Sequence, residues 1–344
     1  MKSIIKNQKS KIKNQVSIAL MIALVFSACE LRILEDDFME TALIPVRIDW
    51  SVSGVAVEEI HRASVWLFPQ EGGTPLEYRL ESDVTYREIA VPVGVYSALI
   101  FNETIDPTDW NSLAFTGTKG YETFAAVNVP QSSIGFYERS NDLPLIGSPD
   151  AIAAWSLDRF EVTPEMIERT RPLTRHKTDP KDVVSDLTVA KPTPRFERVV
   201  ITAFVTNLKS AKQATGTIDG INSGVYLATG KRMTKPAVQA FILNGRVYDG
   251  NDGTTTRTFN IFGKTKEQHI VLDFLLTNNE LHPREEFDVT NLTVTQTIDN
   301  VNTHFINVGY GIFPGDHLIT LPEGDMDPET ITVDEWNEVI IPIK

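Results

Sequence analysis

The chain is poor in several things that would otherwise define a protein. It has one cysteine in 344 residues, so no internal disulfide can hold it together and its stability must come from core burial. Basic residues are scarce: 32 Lys+Arg stand against 46 Asp+Glu, a formal net charge of −14. Such a surface offers no footprint for nucleic acid, whose phosphates are bound by Lys and Arg. Histidine is sparse and scattered (His61, His176, His269, His282, His304, His317), with no His-Glu-x-x-His and no pair at ligand spacing, so a zinc site has no support. There is no Gly-x-Ser-x-Gly elbow and no P-loop. Two acidic stretches have simpler readings than calcium: Asp249–Thr256 (DGNDGTTT) as an Asp-Gly hairpin turn, and Glu323–Glu329 (EGDMDPE) as a solvated loop. The expectation is a non-enzyme with no catalytic residues, no metal and no cofactor.

What is present begins with a leader. Five lysines (Lys2, Lys6, Lys9, Lys11, Lys13) and no acid precede Val16–Ala28, a thirteen-residue run without charge. As a helix that run spans about 20 Å, short of a bilayer core of about 30 Å, so it reads as the apolar region of a signal peptide. It ends in Ser27-Ala28-Cys29. This resembles the lipobox of bacterial lipoproteins, with Phe26 standing where Leu, Val or Ile is usual. The resemblance implies cleavage between Ala28 and Cys29, acylation of Cys29 (palmitate among its chains), and a protein held by those chains on the outer membrane. Without residues 1–28 the chain has 27 basic and 46 acidic residues, a net charge of −19. Residues 29–42, with Glu30, Glu35, Asp36, Asp37 and Glu40, form an acidic tether, similar to the surface-export segment of Bacteroidetes lipoproteins.

From Leu43 onward the dominant period is two. Val46, Ile48 and Trp50 share one face, and Arg47 and Asp49 the other. Short β-rich runs follow at Ala63–Phe68, Val84–Val93, Val95–Phe101 and Tyr121–Val129, separated by Gly and Pro turn signals. One helix is expected over Thr163–Thr170, with Thr163 as cap, Pro164 at the first position and Glu165 against the dipole. A segment carrying Pro172, Pro180, Pro192 and Pro194 reads as a connection. Further runs lie at Arg198–Leu208, Lys235–Gly245, Thr256–Gly263, Gln268–Leu276, Asp288–Ile298 and His317–Pro322, and Trp336–Lys344 reads as a terminal edge strand. The pattern predicts antiparallel β-sandwiches, divided as 43–175 and 176–344. Most tryptophans fall in strand patterns. Trp110 sits in a polar loop, either as a plug or, with Tyr121 and Tyr137, as a glycan-binding platform on a surface lipoprotein.

The runs ASVWLFPQEGGTPLEYRLESDV, VPVGVYSALIFNET, SLAFTGTKGYETFAA and NLKSAKQATGTIDGINSGVYLATGK are similar to a family of Bacteroides lipoproteins related to the FimB-like anchor and accessory subunits of the fimbrillin superfamily. The resemblance implies two tandem transthyretin-like (Greek-key) antiparallel β-sandwich domains, and a lipid-anchored fimbrial subunit with a role in cell adhesion. Its partners would be other fimbrial subunits, joined by strand exchange, a form of β-augmentation. The exchanging elements would be the first strand (Ile44, Val46, Ile48, Trp50) and the last (Val339, Ile341), with Arg47 as a conceivable processing point.

Overall fold

The computed structural model describes residues 41–131, 133–134, 137–138, 143–170, 189–265, 267–312, 314 and 316–323. Cys29, the 175/176 boundary, the strand with Val339 and Ile341, and all of the acidic loop beyond Glu323 lie outside the described residues. Among the described residues no helix is long and apolar enough to cross a membrane.

The first half contains β1 (Thr41–Arg47), β2 (Ala63–Pro69), β3 (Leu76–Leu80), β4 (Tyr86–Pro92), β5 (Gly94–Asn102), β6 (Leu113–Thr116), β7 (Ala125–Asn128), the small hairpin β8 (Ser133–Ile134) and β9 (Tyr137–Glu138), β10 (Leu145–Ile146), β11 (Ala153–Val162) and the helix α1 (Pro164–Thr170). The second half contains β12 (Thr193–Pro194), β13 (Glu197–Thr206), β14 (Ala211–Asn222), β15 (Gly224–Tyr226), β16 (Pro236–Leu243), β17 (Gly245–Asp249), β18 (Asp252–Ile261), β19 (His269–Leu276), β20 (Glu285–Asp288), β21 (Thr293–Ile298), β22 (Val301–Val308) and β23 (Ile319–Thr320).

These strands form two sandwiches. In the first, the antiparallel pair β1–β4 lies against one face of the sheet β12-β11-β5-β2-β3, and Ile44, Leu67, Ile89, Ile100 and Phe160 fill the space between. The opposite face of that sheet carries Trp66, Phe68, Leu99 and Phe101, covered by the three-stranded sheet β15-β7-β6. Phe124 anchors this second layer, edge-on to Trp66 at 5.1 Å and to Phe101 at 5.7 Å. Because β2 is covered on both sides, its six residues from Ala63 to Phe68 are all buried. That explains a run with no polar alternation.

In the second sandwich, β10-β16-β14-β19-β20 faces β17-β18-β13-β22-β21, with β23 continuing alongside β13. Ile201, Ile218, Phe241, Leu272, Phe274 and Ile306 lie in its core. Most pairings are antiparallel, as expected, but β13 runs parallel to β22 and β23, and β10 parallel to β16. A parallel pair needs a long crossover, and β14, β16, β19 and β20 of the opposing sheet lie between β13 and β22 in the chain. The strand β14 occupies the centre of its sheet despite two glycines, Gly216 and Gly220. At Gly216 a Cβ would stand 2.6 Å from the Phe241 ring and 2.7 Å from Leu272, so glycine makes room for the core side chains on either side.

The two halves are stitched together in both directions. β15, from the second half, pairs antiparallel with β7 of the first (Gly224 opposite Val127). β10, from the first half, pairs with β16 of the second (Leu145 opposite Val238). The hairpin foreseen at Asp249–Thr256 is present: β17 and β18 close with Asp249 opposite Asp252 around Gly250 at φ 64°.

Candidate strand-exchange site

The chain enters the described structure as β1, one residue pair at a time against β4, from Thr41 opposite Pro92 to Arg47 opposite Tyr86. The strand is three residues longer at its start than the Ile44–Trp50 expectation and ends sooner. Past Arg47, Asp49 accepts a hydrogen bond from Ser51 N at 3.0 Å and turns the backbone into a short 3₁₀ segment, Trp50–Val52. Side-chain alternation survives that turn. Ala42, Ile44 and Val46 are fully buried, and Ile48 and Trp50 are 5% and 3% exposed. Trp50 reaches the same core from the 3₁₀ turn and donates its Nε1–H to Val84 O at 2.9 Å.

Among the described residues, five of the twenty buried in the first core therefore come from this single N-terminal segment. Burying its four large side chains at about 1.5–3 kcal/mol each contributes roughly 6–12 kcal/mol, comparable with the whole stability of an ordinary domain, about 5–15 kcal/mol. The end of the segment is held from its other side by the chain near Ala190: Asp49 N donates to Ala190 O and Ala190 N donates to Arg47 O, both at 2.8 Å. Lys191 Nζ lies 3.3 Å from Asp49 Oδ2. Ile167 of α1 packs into the same core. Arg47 points out of the strand, exposed, with its guanidinium 5.8 Å from the centre of the Tyr86 ring.

Of the residues proposed from sequence for a glycan platform, the two whose side chains are described, Trp110 and Tyr121, each pack into the fold. Trp110 is 8% exposed, donates its Nε1–H to Thr104 O at 2.5 Å and meets Phe115 edge-on at 5.5 Å. It is the loop plug of the two readings. Tyr121 packs against Phe68 and donates its hydroxyl to Asp158 at 2.8 Å. Burial and that carboxylate push its phenol up to about 12. The Tyr137 side chain lies outside the described residues.

A polar cluster that sequence reading missed, all of it in the second half, ties β13, β21 and β22 to the chain beside β12 and β15, the strands that join the first sandwich. Glu197, at the start of β13, meets His304 Nε2 at 2.8 Å and Arg232 Nη2 at 3.3 Å. The other imidazole nitrogen of His304 lies 2.8 Å from Thr295 Oγ1. Arg232 also donates to Arg195 O at 2.6 Å, and Arg195 donates to Leu227 O at 2.9 Å beside β15. Burial alone would raise the Glu197 carboxyl, but the His304 contact and the Arg232 charge overcome it and hold the group below the usual carboxylate range. Glu197 and His304 are 107 positions apart, so no local spacing announces the pair.

Comparison with solved structures finds the same fold elsewhere. The chain is similar, at 18% identity and a TM-score of 0.57, to a protein of Bacteroides ovatus ATCC 8483 described as a candidate adhesin, with 87% of this chain and 98% of that one covered. It is also similar to the fimbrial anchor protein Mfa2 from Porphyromonas gingivalis, at 13% identity and a TM-score of 0.43, covering 78% of this chain and 90% of that one. A second candidate adhesin from Bacteroides ovatus matches at 8% identity and a TM-score of 0.46, covering 78% and 87%. No curated protein matches the sequence. Residues 28–242, more than half of the chain, match the family described as Domain of unknown function (DUF5119), and the chain belongs to that family.

Proposed function

We propose that this protein is a fimbrial subunit of anchor or accessory type, held on the outer membrane by acyl chains on Cys29, that joins other subunits by β-strand exchange in the service of cell adhesion. One observation carries this reading. The N-terminal segment fills the first core with Ala42, Ile44, Val46, Ile48 and Trp50, yet along its full length as a strand it is hydrogen-bonded to β4. A strand that adds side chains to a core while lying at the margin of a two-stranded layer is the geometry in which another chain's strand can occupy the same seat. Main-chain hydrogen bonds would give affinity, and the alternate apolar side chains would give specificity. The shared fold with the Bacteroides ovatus candidate adhesin is consistent with a surface role.

Lipid anchoring follows from the lipobox-like Ser27-Ala28-Cys29. Each buried CH₂ contributes about 0.8 kcal/mol, so two or more chains hold stably where one does not. The test is metabolic labelling with radioactive palmitate in the native host, followed by isolation of fimbriae. The expected result is label on the wild-type chain, none on Cys29→Ser, and recovery of the wild-type protein with the fimbrial fraction. A wild-type chain that takes no label and does not sediment with fimbriae contradicts the reading.

A further inference from the structure

The outer edge of β21 has the makings of a self-pairing surface. The hairpin β21–β22 closes through Asp299 and Asn300, at φ 50° and 64°, between the paired residues Ile298 and Val301. Two residues of positive φ make a type I′ turn, whose closing pair is hydrogen-bonded. Alternation along an antiparallel ladder then bonds Val294, Gln296 and Ile298 to β22, and turns the N–H and C=O of Thr293, Thr295 and Thr297 away from it. Among the described residues β21 ends its sheet, and none hydrogen-bonds to that outer edge. Every residue of the strand from Val294 to Ile298 is exposed, with Val294 at 57% and Ile298 at 37%.

Natural edges are usually blunted by charge, proline or shortness. Among described edge strands of five residues or more, β1, β3, β4 and β17 carry Arg47, Glu77 and Arg79, Arg87 and Glu88, and Arg246 and Asp249 respectively. β21 carries none, and the uncharged stretch runs from Val289 to Ile298 without proline. In a chain with a net charge of −14, two copies meet with least repulsion where neither brings charge. A basic partner would find no carboxylate on this strand to pair with.

We infer that β21 is the surface through which two copies of this chain associate, edge to edge and antiparallel. A two-fold axis at Thr295 sets that residue opposite its own symmetry mate and Thr293 opposite Thr297, so that each outward N–H faces an outward C=O. The contact is isologous and joins the two six-stranded sheets into one. It uses neither β1 nor Cys29, and so stands or falls apart from the proposal above. An edge of six residues buries less than a standard interface of about 1,600 Å², so the dimer is weak and concentration-dependent.

The test is sedimentation velocity of the chain from Glu30 to Lys344, across micromolar to submillimolar concentrations, beside Thr295→Pro, which removes an outward N–H and the hydroxyl contact with His304 but none of the β22 ladder, and the double variant V294K/Q296K. Far-UV circular dichroism verifies folding. The expected result is a wild-type shift from monomer to dimer that both variants lose with an unchanged spectrum. A single Thr295→Cys substitution, in this cysteine-free chain, should cross-link to dimer under mild oxidation, since hydrogen-bonded partners stand about 5.5 Å apart at Cα. A wild-type chain monomeric throughout, a dimer that survives V294K/Q296K, or a dimer that Thr295→Cys does not cross-link would each overturn the inference. Should T295P misfold, the lysine pair and the cross-link still decide.

Discussion

The strands β1 and β21 are both margins of their sheets, and they could hardly be used more differently. β1 drives every second side chain into a core and leaves Arg47 outside. β21 exposes nearly all of its side chains and fills no core of its own. Their main-chain ladders are similar in length, seven register pairs for β1 with β4 and six for β21 with β22. Hydrogen bonds therefore do not distinguish them, since each exchanges a bond to water for a bond to protein at a net gain of only about 0.5–1.5 kcal/mol. What distinguishes them is the apolar row. An edge strand matters to stability by what it buries, and to association by what it leaves unpaired.

Four substitutions break or sharpen that contrast, from the largest effect down. Ile44→Asp places a carboxylate at a fully buried position of the β1 row with no partner in sight, and should unfold the first sandwich, seen as loss of its share of the chemical denaturation signal. Ile44→Ala leaves a cavity and should cost about 2–5 kcal/mol by the same measurement. In the polar cluster, Glu197→Gln should cost about 1–3 kcal/mol at neutral pH, because it replaces a charge-assisted partner of His304 and Arg232. The sign of the accompanying pH effect is fixed. The carboxyl of Glu197 titrates lower folded than unfolded, so its stabilisation is complete above the ordinary carboxylate value of about 4.3 and disappears as pH falls through the lower folded value. Denaturation midpoints followed from pH 6 down to about pH 3 should show a shallower decline in the Gln variant. Smallest of all, Val294→Thr on β21 should move stability by no more than about 0.5 kcal/mol, although it lies in a strand of nearly the same length as β1.

Much of the fold was legible from short β-rich runs bounded by turn signals. The runs at Ala63–Phe68, Val95–Phe101 and Gln268–Leu276 became β2, β5 and β19 within a residue or two, because β-branched and aromatic residues fill their buried sides. The helix at Pro164–Thr170 was legible from its Thr-Pro-Glu start. β14 was not, since its glycines and its Lys, Asp and Asn weaken the strand signal, and Gly216 makes sense only beside Phe241 and Leu272. The reciprocal crossing of β10 and β15 was equally hidden. A two- or three-residue strand has too few side chains to show a period, and its partner lies in the other half of the chain.

Of the candidate site, Val46, Ile48 and Trp50 were legible as one face, and the structure seats all three in one core with Ile44. Ala190, which clamps the end of that strand through two backbone bonds, was not, because backbone pairing leaves no mark on residue type. Trp110 shows the opposite difficulty. A tryptophan in a polar loop looks the same in sequence whether its ring faces water or, as here, Phe115.

The most direct test of the account is complementation of the first core in trans. A chain shortened to begin at Ser51 would be refolded with and without a synthetic peptide of Thr41–Trp50, and its thermal unfolding recorded. The account predicts that the shortened chain loses the unfolding transition of its first sandwich, and that the peptide restores it while a peptide with Ile44, Val46 and Ile48 changed to Thr does not. A shortened chain that melts like the intact one and takes up neither peptide would contradict it.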